Sequence, residues 1–300
     1  MAKLFNGLHK LSYKYLRVAA KIILSSFEFV DEFIRFSNII LWLDFFMEKC
    51  MNIDITKKLA AEKAVDEIRD GMVVGLGTGT TFHFALLKIA ERIKSGELRN
   101  IKCVASSKHT ELKATGLGVS LVTLNELFSR SQLSEKFSIL NSQFSIQPID
   151  IYIDGADEVD ADLNLIKGGG GALLREKIIA QASKRFVVIV DETKLSPKLG
   201  MNFQIPIEVL QFAVEVETKF FESFEAAVTI RRNSDGEHFI TDEGNFILDA
   251  KVNAIESVDE FASILERRAG IVEHGLFRKE LVAKVICAMS DGCVKELLNC

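Results

Sequence analysis

The sequence predicts an α/β protein with an open, mainly parallel, doubly wound sheet and a second, smaller α+β lobe inserted before the last strands. Three observations lead to this expectation. From about residue 55 to 202, short apolar runs alternate with segments of helical period, the pattern of a parallel sheet with helices on both faces. Glycine-rich or acidic turns follow several of these runs, at the strand ends where open α/β sheets place ligands. After about residue 203 the alternation gives way to hairpin-style neighbours with helices, the mark of an α+β unit.

The first element, 55–69, carries Leu59, Ala60, Ala64, Val65 and Ile68 at helical spacing and stops at Asp70-Gly71. Residues 72–76 read as a strand, 77–81 as a glycine–threonine loop and 82–93 as a helix. The next strand is expected at 101–105, followed by Ser106-Ser107, a helix through Lys113 and a third strand at 119–124. The Ser/Gln-rich tract 129–147 has no clear period and reads as a surface loop. Strands at 149–153 and 186–190 flank a glycine-rich turn and a helix over 172–183. Beyond them, 227–231, 239–241 and 246–249 look like strands around the turn Asp242-Glu243-Gly244-Asn245, with helices near 213–224 and 258–268. Residues 275–277 and 281–289 return to strand. The expected division is an extension over 1–50, an α/β domain over 51–202 and 276–300, and the small lobe over 203–275.

A formal net charge of -5 over 300 residues argues against nucleic acid as a partner, because phosphate backbones select basic surfaces. Small anions are not excluded, since a nest of amides binds phosphate on an acidic protein. Five cysteines (Cys50, Cys103, Cys287, Cys293, Cys300) show no paired or zinc-binding spacing and read as reduced thiols of a cytoplasmic protein. The first fifty residues are rich in aromatics, but Arg17, Lys21, Glu28 and Asp44 interrupt both apolar stretches before the roughly 18 residues a span needs. They lack a signal-peptide pattern, and Glu28, Asp31 and Glu32 oppose a mitochondrial presequence. An amphipathic helical extension, a membrane-surface segment and translated sequence upstream of a start at Met51 remain as readings.

Several motifs carry chemistry. Gly75-Leu76-Gly77-Thr78-Gly79-Thr80-Thr81 follows a strand and opens a helix, where free amides and the helix dipole favour an anion. It is not a dinucleotide fingerprint, since Thr80 stands where the third glycine belongs, nor a nucleotide P-loop. A phosphate monoester or sugar hydroxyls would suit its threonines; a turn serving only helix–strand packing is the plainer reading. Asp154-Gly155-Ala156-Asp157-Glu158 sets acids just beyond an apolar strand, for proton transfer, a divalent metal or a helix-capping turn. Four consecutive glycines, Gly168 to Gly171, cost backbone entropy and imply unusual dihedrals or close approach to a ligand, with Lys167 beside them as a cation. Glu176 has Ala172, Leu173, Ile179 and Ala180 one turn away, an apolar surround that raises a carboxyl toward general-base range. Arg175 has a similar surround, so both residues emerging at a helix edge is the alternative. Lys194, after the strand 186–190, can reach a phosphate as a point charge. The five histidines share no motif and receive no role.

In order and spacing, these segments resemble the type A ribose-5-phosphate isomerase family. The matching runs are 75–81, 106–107, 154–158, 167–179, 191–194, 206–209, 241–249 and 270–277, and the pairing of DGADE with KGGGGALLREKI is highly specific. The resemblance covers about residue 55 to the C-terminus; the extension and the long tract 129–147 depart from it. It implies an aldose–ketose isomerase of the non-oxidative pentose phosphate pathway, interconverting ribose 5-phosphate and ribulose 5-phosphate through an enediolate. No metal, no cofactor and no membrane would be needed, and the assembly would be a homo-oligomer, commonly a dimer. The resemblance makes Glu176 the base between C1 and C2, with Asp154 and Asp157 serving ring opening and hydroxyl binding and Lys167 stabilising negative charge. Substrate would be held by Thr78, Gly79, Thr80, Thr81, Gly155, Ala156, Lys167, Gly168, Gly169, Gly170 and Lys194, the last near the phosphate. A sugar-phosphate-sensing regulator with a DNA-binding head and an acyl or coenzyme A transferase using Glu176 as nucleophile are the rivals. The weakly basic, aromatic first segment disfavours the former, and the Asp154, Asp157 and Lys167 set disfavours the latter.

Overall fold

A computed structural model describes residues 53–130, 147–224 and 226–298. The chain divides into two units, Met1–Asn52 and Ile53–Cys300. The first, which contains the expected extension, lies outside the described residues, as does nearly all of the tract 129–147.

The elements run α1 (53–65), β1 (Val73–Leu76), α2 (Thr80–Lys94), β2 (Lys102–Ala105), α3 (Lys108–Gly116), α4 (Leu124–Arg130) and β3 (Ile151–Gly155). They continue with β4 (Glu158–Val159), β5 (Leu165–Ile166), α5 (Leu173–Gln181), β6 (Phe186–Asp191), β7 (Ile205–Val209), α6 (Val214–Glu222) and β8 (Ala227–Ile230). The last are β9 (Phe246–Lys251), α7 (Val258–Glu266), β10 (Ile271–His274), β11 (Leu276–Phe277), β12 (Lys284–Ala288) and β13 (Val294–Leu298).

A six-stranded sheet has the order β13-β12-β6-β3-β1-β2, parallel except for β13 at its edge. Its central strands are apolar along their length because both faces are covered, and alternate residues serve opposite cores. Ile151, Ile153, Val187 and Ile189 pack with α1 and α2 through Ala60, Ala64, Val65, Phe82, Leu86 and Ile89. Tyr152, Val188 and Val190 face the other way, onto Ile179 and Ala180 of α5 and onto Phe277. Each fully buried Ile, Leu, Val or Phe contributes about 1.5–3 kcal/mol.

A separate antiparallel sheet has the order β10-β7-β9-β8, with Ile205, Ile207, Leu248 and Ala250 packed against Phe221 of α6 and Ala262 and Leu265 of α7. The short ribbon β11-β5-β4 ties the two sheets together. Beside it, the Lys167 amide donates to Gly275 O at 2.8 Å and the Gly275 amide donates to Pro206 O at 2.7 Å.

Two expected strands are corrected. Residues 119–124 make a single parallel bridge, Leu121 to Cys103, and α4 begins at Leu124. The reason is a capping box: Thr123 N donates to Glu126 Oε2 at 2.8 Å, and Glu126 N donates to Thr123 Oγ1 at 3.2 Å. Residues 239–241 form no strand; only the bridge Arg232 to His238 remains there. Thr241 instead spends its hydroxyl on Glu208 Oε1 (2.8 Å) and on the Asn245 amide (3.1 Å), which closes the turn. Strands β4, β5, β7, β10 and β13 lay outside the sequence expectation. β13 escapes notice because an edge strand with Lys295 and Glu296 facing out lacks an apolar run.

Candidate active site

Three loops meet at the carboxyl ends of the parallel strands, where the turn after β1, the turn after β3 and the glycine loop before α5 enclose a cleft. It is lined by Lys57, Thr78, Gly79, Thr80, Thr81, Gly155, Ala156, Asp157, Lys167, Gly168, Gly169, Gly170, Glu176 and Lys194. Gly77 allows the first two loops to touch: a Cβ there would lie 2.2 Å from Asp154 Oδ1. Gly79 then starts α2 with no side-chain cap and no acid in the first turn, so the helix end retains its affinity for an anion. Lys57 of α1 reaches the same place, its Nζ 3.3 Å from Thr80 Oγ1.

Three buried charges form the floor. Asp154, fully buried, accepts from Lys167 Nζ (2.6 Å), Tyr152 OH (2.6 Å), Thr78 N (2.9 Å) and Gly155 N (2.7 Å). These four donors fill the acceptor capacity of a carboxylate. Lys167, 2% exposed, also donates to Gly155 O at 2.6 Å and lies 3.3 Å from Glu176 Oε2. Burial works against its charge, but Asp154 and Glu176 outweigh that and hold the ammonium raised, at about 12. Glu176, 3% exposed, is different. Its Oε2 is buried with no hydrogen-bond partner, because Lys167 approaches within ion-pair distance but outside hydrogen-bonding geometry. Burial pushes Glu176 up, Lys167 opposes, and Asp154 and Asp157 add to the rise, leaving it at about 8. A carboxyl with an oxygen that accepts no hydrogen bond and an affinity for protons near neutrality, beside a fixed cation, is equipped to take a proton from carbon while the charge that develops is stabilised.

The walls are polar. Asp157, pushed up chiefly by burial, accepts from Gly169 N at 2.7 Å. Thr78 Oγ1 lies within 2.9 Å of Ser106 Oγ and Ser107 Oγ and 3.2 Å from Thr110 Oγ1, so the 106–107 pair props the loop from below. Lys194 ends a short 3-10 turn set by Asp191, whose Oδ1 accepts from Thr193 N at 3.0 Å.

Every sequence-predicted site residue except Asp154 lines this one cleft. Asp154 sits behind Lys167, and its saturated carboxylate holds that lysine rather than facing the opening. The helix-edge reading of Glu176 is corrected by its burial: Arg175 alone emerges, pairing with Glu243 and Asp242. The acidic turn caps no helix; it leads into β4. Lys57 was not anticipated, and the signal that would have found it is its place early in α1, two residues before the apolar stripe that begins at Leu59. Among the described residues, no three or more His, Cys, Asp or Glu side chains are grouped to hold a metal ion. Cys103, Cys287 and Cys293 are free thiols.

Residues 102–292 match the family model for ribose 5-phosphate isomerase A (phosphoriboisomerase A). The ribose-5-phosphate isomerase A of Desulfatibacillum aliphaticivorans is 48% identical over 239 residues, which cover 80% of this chain and 95% of that protein. Ribose 5-phosphate isomerase from Plasmodium falciparum superposes with a TM-score of 0.71 at 38% identity, covering 82% of this chain and 98% of that one. A D-ribose-5-phosphate isomerase in complex with phospho-erythronic acid gives a TM-score of 0.72 at 34% identity, over 82% and 99% of the two chains. With 48% identity to one relative and a fold shared along nearly the whole length of these relatives, the chain belongs to the ribose 5-phosphate isomerase A family.

Proposed function

We propose that Glu176 carries the proton between C1 and C2 in the interconversion of ribose 5-phosphate and ribulose 5-phosphate, the reaction of the family. In the open-chain aldose, Glu176 removes the proton on C2. The electron pair forms the C1–C2 double bond and leaves negative charge on O1, giving an enediolate. The proton on O2 passes to O1, and return of the proton from Glu176 to C1, as the C2 carbonyl forms, yields the ketose. Lys167 stabilises the enediolate oxygen, and its ammonium is already oriented by Asp154 and Gly155 O, so little reorganisation is needed as charge develops. Asp157, in the cleft wall with a raised affinity for protons, serves ring opening and the hydroxyl protons. Asp154 acts through Lys167. The α2 amides, Thr80, Thr81, Lys57 and Lys194 hold the phosphate.

The observation that carries this reading is the buried Glu176 carboxyl, whose Oε2 is ion-paired with Lys167 at 3.3 Å but accepts no hydrogen bond. A phosphorylated sugar acid, phospho-erythronic acid, occupies one relative; the anionic groups of such a molecule suit a cleft with three lysines and two acids. Purified protein given ribose 5-phosphate in a coupled assay should produce ribulose 5-phosphate; folded protein without turnover would refute the assignment.

The 203–275 lobe, a homodimeric assembly and the cytoplasm complete the proposal. The separate four-stranded sheet supports the first, the family resemblance the second, and the free thiols a reducing compartment. Light scattering of the purified chain checks the dimer.

A further inference from the structure

The glycine loop is held from a direction that the chemistry of the cleft does not explain. Arg231, just beyond β8 in the four-stranded sheet, pairs with Asp249 of β9 through two parallel bonds, Nε to Oδ2 at 2.8 Å and Nη2 to Oδ1. Asp249 is buried, and the Arg231 side chain is only 13% exposed. The pair fixes the guanidinium plane, because a bidentate carboxylate leaves it no rotation. The remaining nitrogen, Nη1, donates to two successive carbonyls of the loop, Gly168 O at 2.8 Å and Gly169 O at 3.1 Å.

The peptide that carries Gly168 O is turned at Gly168, which has φ +100°, a conformation that side chains rarely allow. The described peptides are all trans, and in a trans peptide the C=O and the next N–H point in opposite directions. Turning Gly168 O toward Arg231 therefore turns the Gly169 N–H the other way, onto Asp157 Oδ2 at 2.7 Å, as observed. The same geometry, applied to Gly169 O, aims the Gly170 N–H away from Arg231. Gly170 lines the cleft, and among the described residues its amide has no acceptor.

We propose that Arg231 is a positioning residue for the isomerisation: by holding the carbonyls of Gly168 and Gly169 on the lobe side, it presents the amides of Gly169 and Gly170 to Asp157 and to the substrate. The proposal rests on the cleft being the isomerase site. The Arg231–Asp249 pair thus gives the small lobe a part in the reaction without touching the sugar. Gly168 O also accepts from Gly171 N at 2.9 Å and Gly169 N keeps its bond to Asp157, so loss of Arg231 frees chiefly the Gly169 carbonyl and, with it, the direction of the Gly170 amide.

The test uses the full-length protein and compares Arg231→Met, Arg231→Lys and a control, Arg268→Met. Arg268 also pairs with a buried carboxylate, Glu217, and stacks on Phe220 in the same lobe, but it makes no bond to the glycine loop. Arg231→Met should lose about 10²-fold in kcat, the scale of a misplaced group in a preorganised site. KM should change less, because Lys57 and Lys194 are untouched. Arg268→Met should lower the melting temperature and leave kcat at the wild-type value. Should Arg231→Met fail to fold, Arg231→Lys decides, since a lysine keeps the charge but cannot fill the planar fork, and its kcat should fall below wild type. Wild-type kcat in the folded Arg231 variants overturns the proposal, as does an equal loss in Arg268→Met. Glu176→Gln, assayed alongside, separates the two levels: if it turns over normally, the site reading fails; if it is inactive while Arg231→Met is unimpaired, only the role of Arg231 fails.

Discussion

Glu176 is the residue on which most of the chemistry turns, and its environment makes two separate predictions. Glu176→Gln keeps shape and hydrogen-bonding groups but cannot take a proton, so kcat should fall by about 10²–10⁴-fold with little change in KM. Exchange of the substrate C2 proton with deuterated solvent should slow in parallel; a folded variant with normal exchange removes Glu176 from the role. The second prediction concerns stability. A carboxyl raised from 4.5 to about 8 by folding adds stability that is complete below the lower value and is lost as pH rises through the higher one. The wild-type melting temperature should therefore fall between about pH 5 and 8 by a component that Glu176→Gln lacks. Parallel melting curves for the two proteins across that range would show a carboxyl with no such perturbation. Lys194 belongs to the same scale but acts differently: phosphate is bound equally in ground and transition states, so Lys194→Ala should raise KM and leave kcat largely intact. An unchanged KM would place the phosphate elsewhere.

At the scale of elements, the site depends on how closely backbone segments approach. The turn after β1 runs over Asp154 at a distance that admits no side chain at Gly77. Gly77→Ala should push Asp154 off its four donors and unseat Lys167, costing about 1–3 kcal/mol of stability as overpacking does. It should also lower kcat, because the lysine loses its orientation; a variant with a normal melting temperature and normal kcat would show that the turn has room to give. Helix α5 illustrates how a motif and its packing are joined. Glu176 lies in its first turn facing Lys167, while Lys177, one residue on, is buried against Glu273 (2.6 Å) and His274 O (2.7 Å). The helix is thereby pinned to β10, next to the Gly275 carbonyl that receives the Lys167 amide. Burial lowers both Lys177 and, to about 2, His274, and neither lines the cleft.

For the molecule as a whole, the cleft is built from residues between Lys57 and Lys194, with the four-stranded sheet bracing one loop through Arg231. A chain started at Met51 should therefore be an active isomerase, since it retains α1 and every lining residue. If that protein folds and loses most of its kcat, residues before Met51 contribute to the site. Much of this was legible beforehand. The alternation of apolar runs and helical segments determined the α/β class, because each pattern can bury its apolar side in only one way. The unusual strings DGADE and KGGGGALLREKI marked the cleft, since four glycines and clustered acids at strand ends are costly without a ligand. Even the missed helix α4 was announced by its Thr123–Glu126 box. Other features were decided only by the tertiary structure. Periodicity shows that Glu176 has apolar neighbours on its own helix, but its proton affinity depends on Lys167, Asp154 and Asp157, which arrive from other segments. Asp154 reads like Asp157 in the motif, yet one is saturated behind the lysine and the other faces the opening. Lys57 and Arg231 join the site across more than a hundred residues of chain between them, and burial, charge neighbours and backbone approach are properties of that folded contact, not of any local stretch.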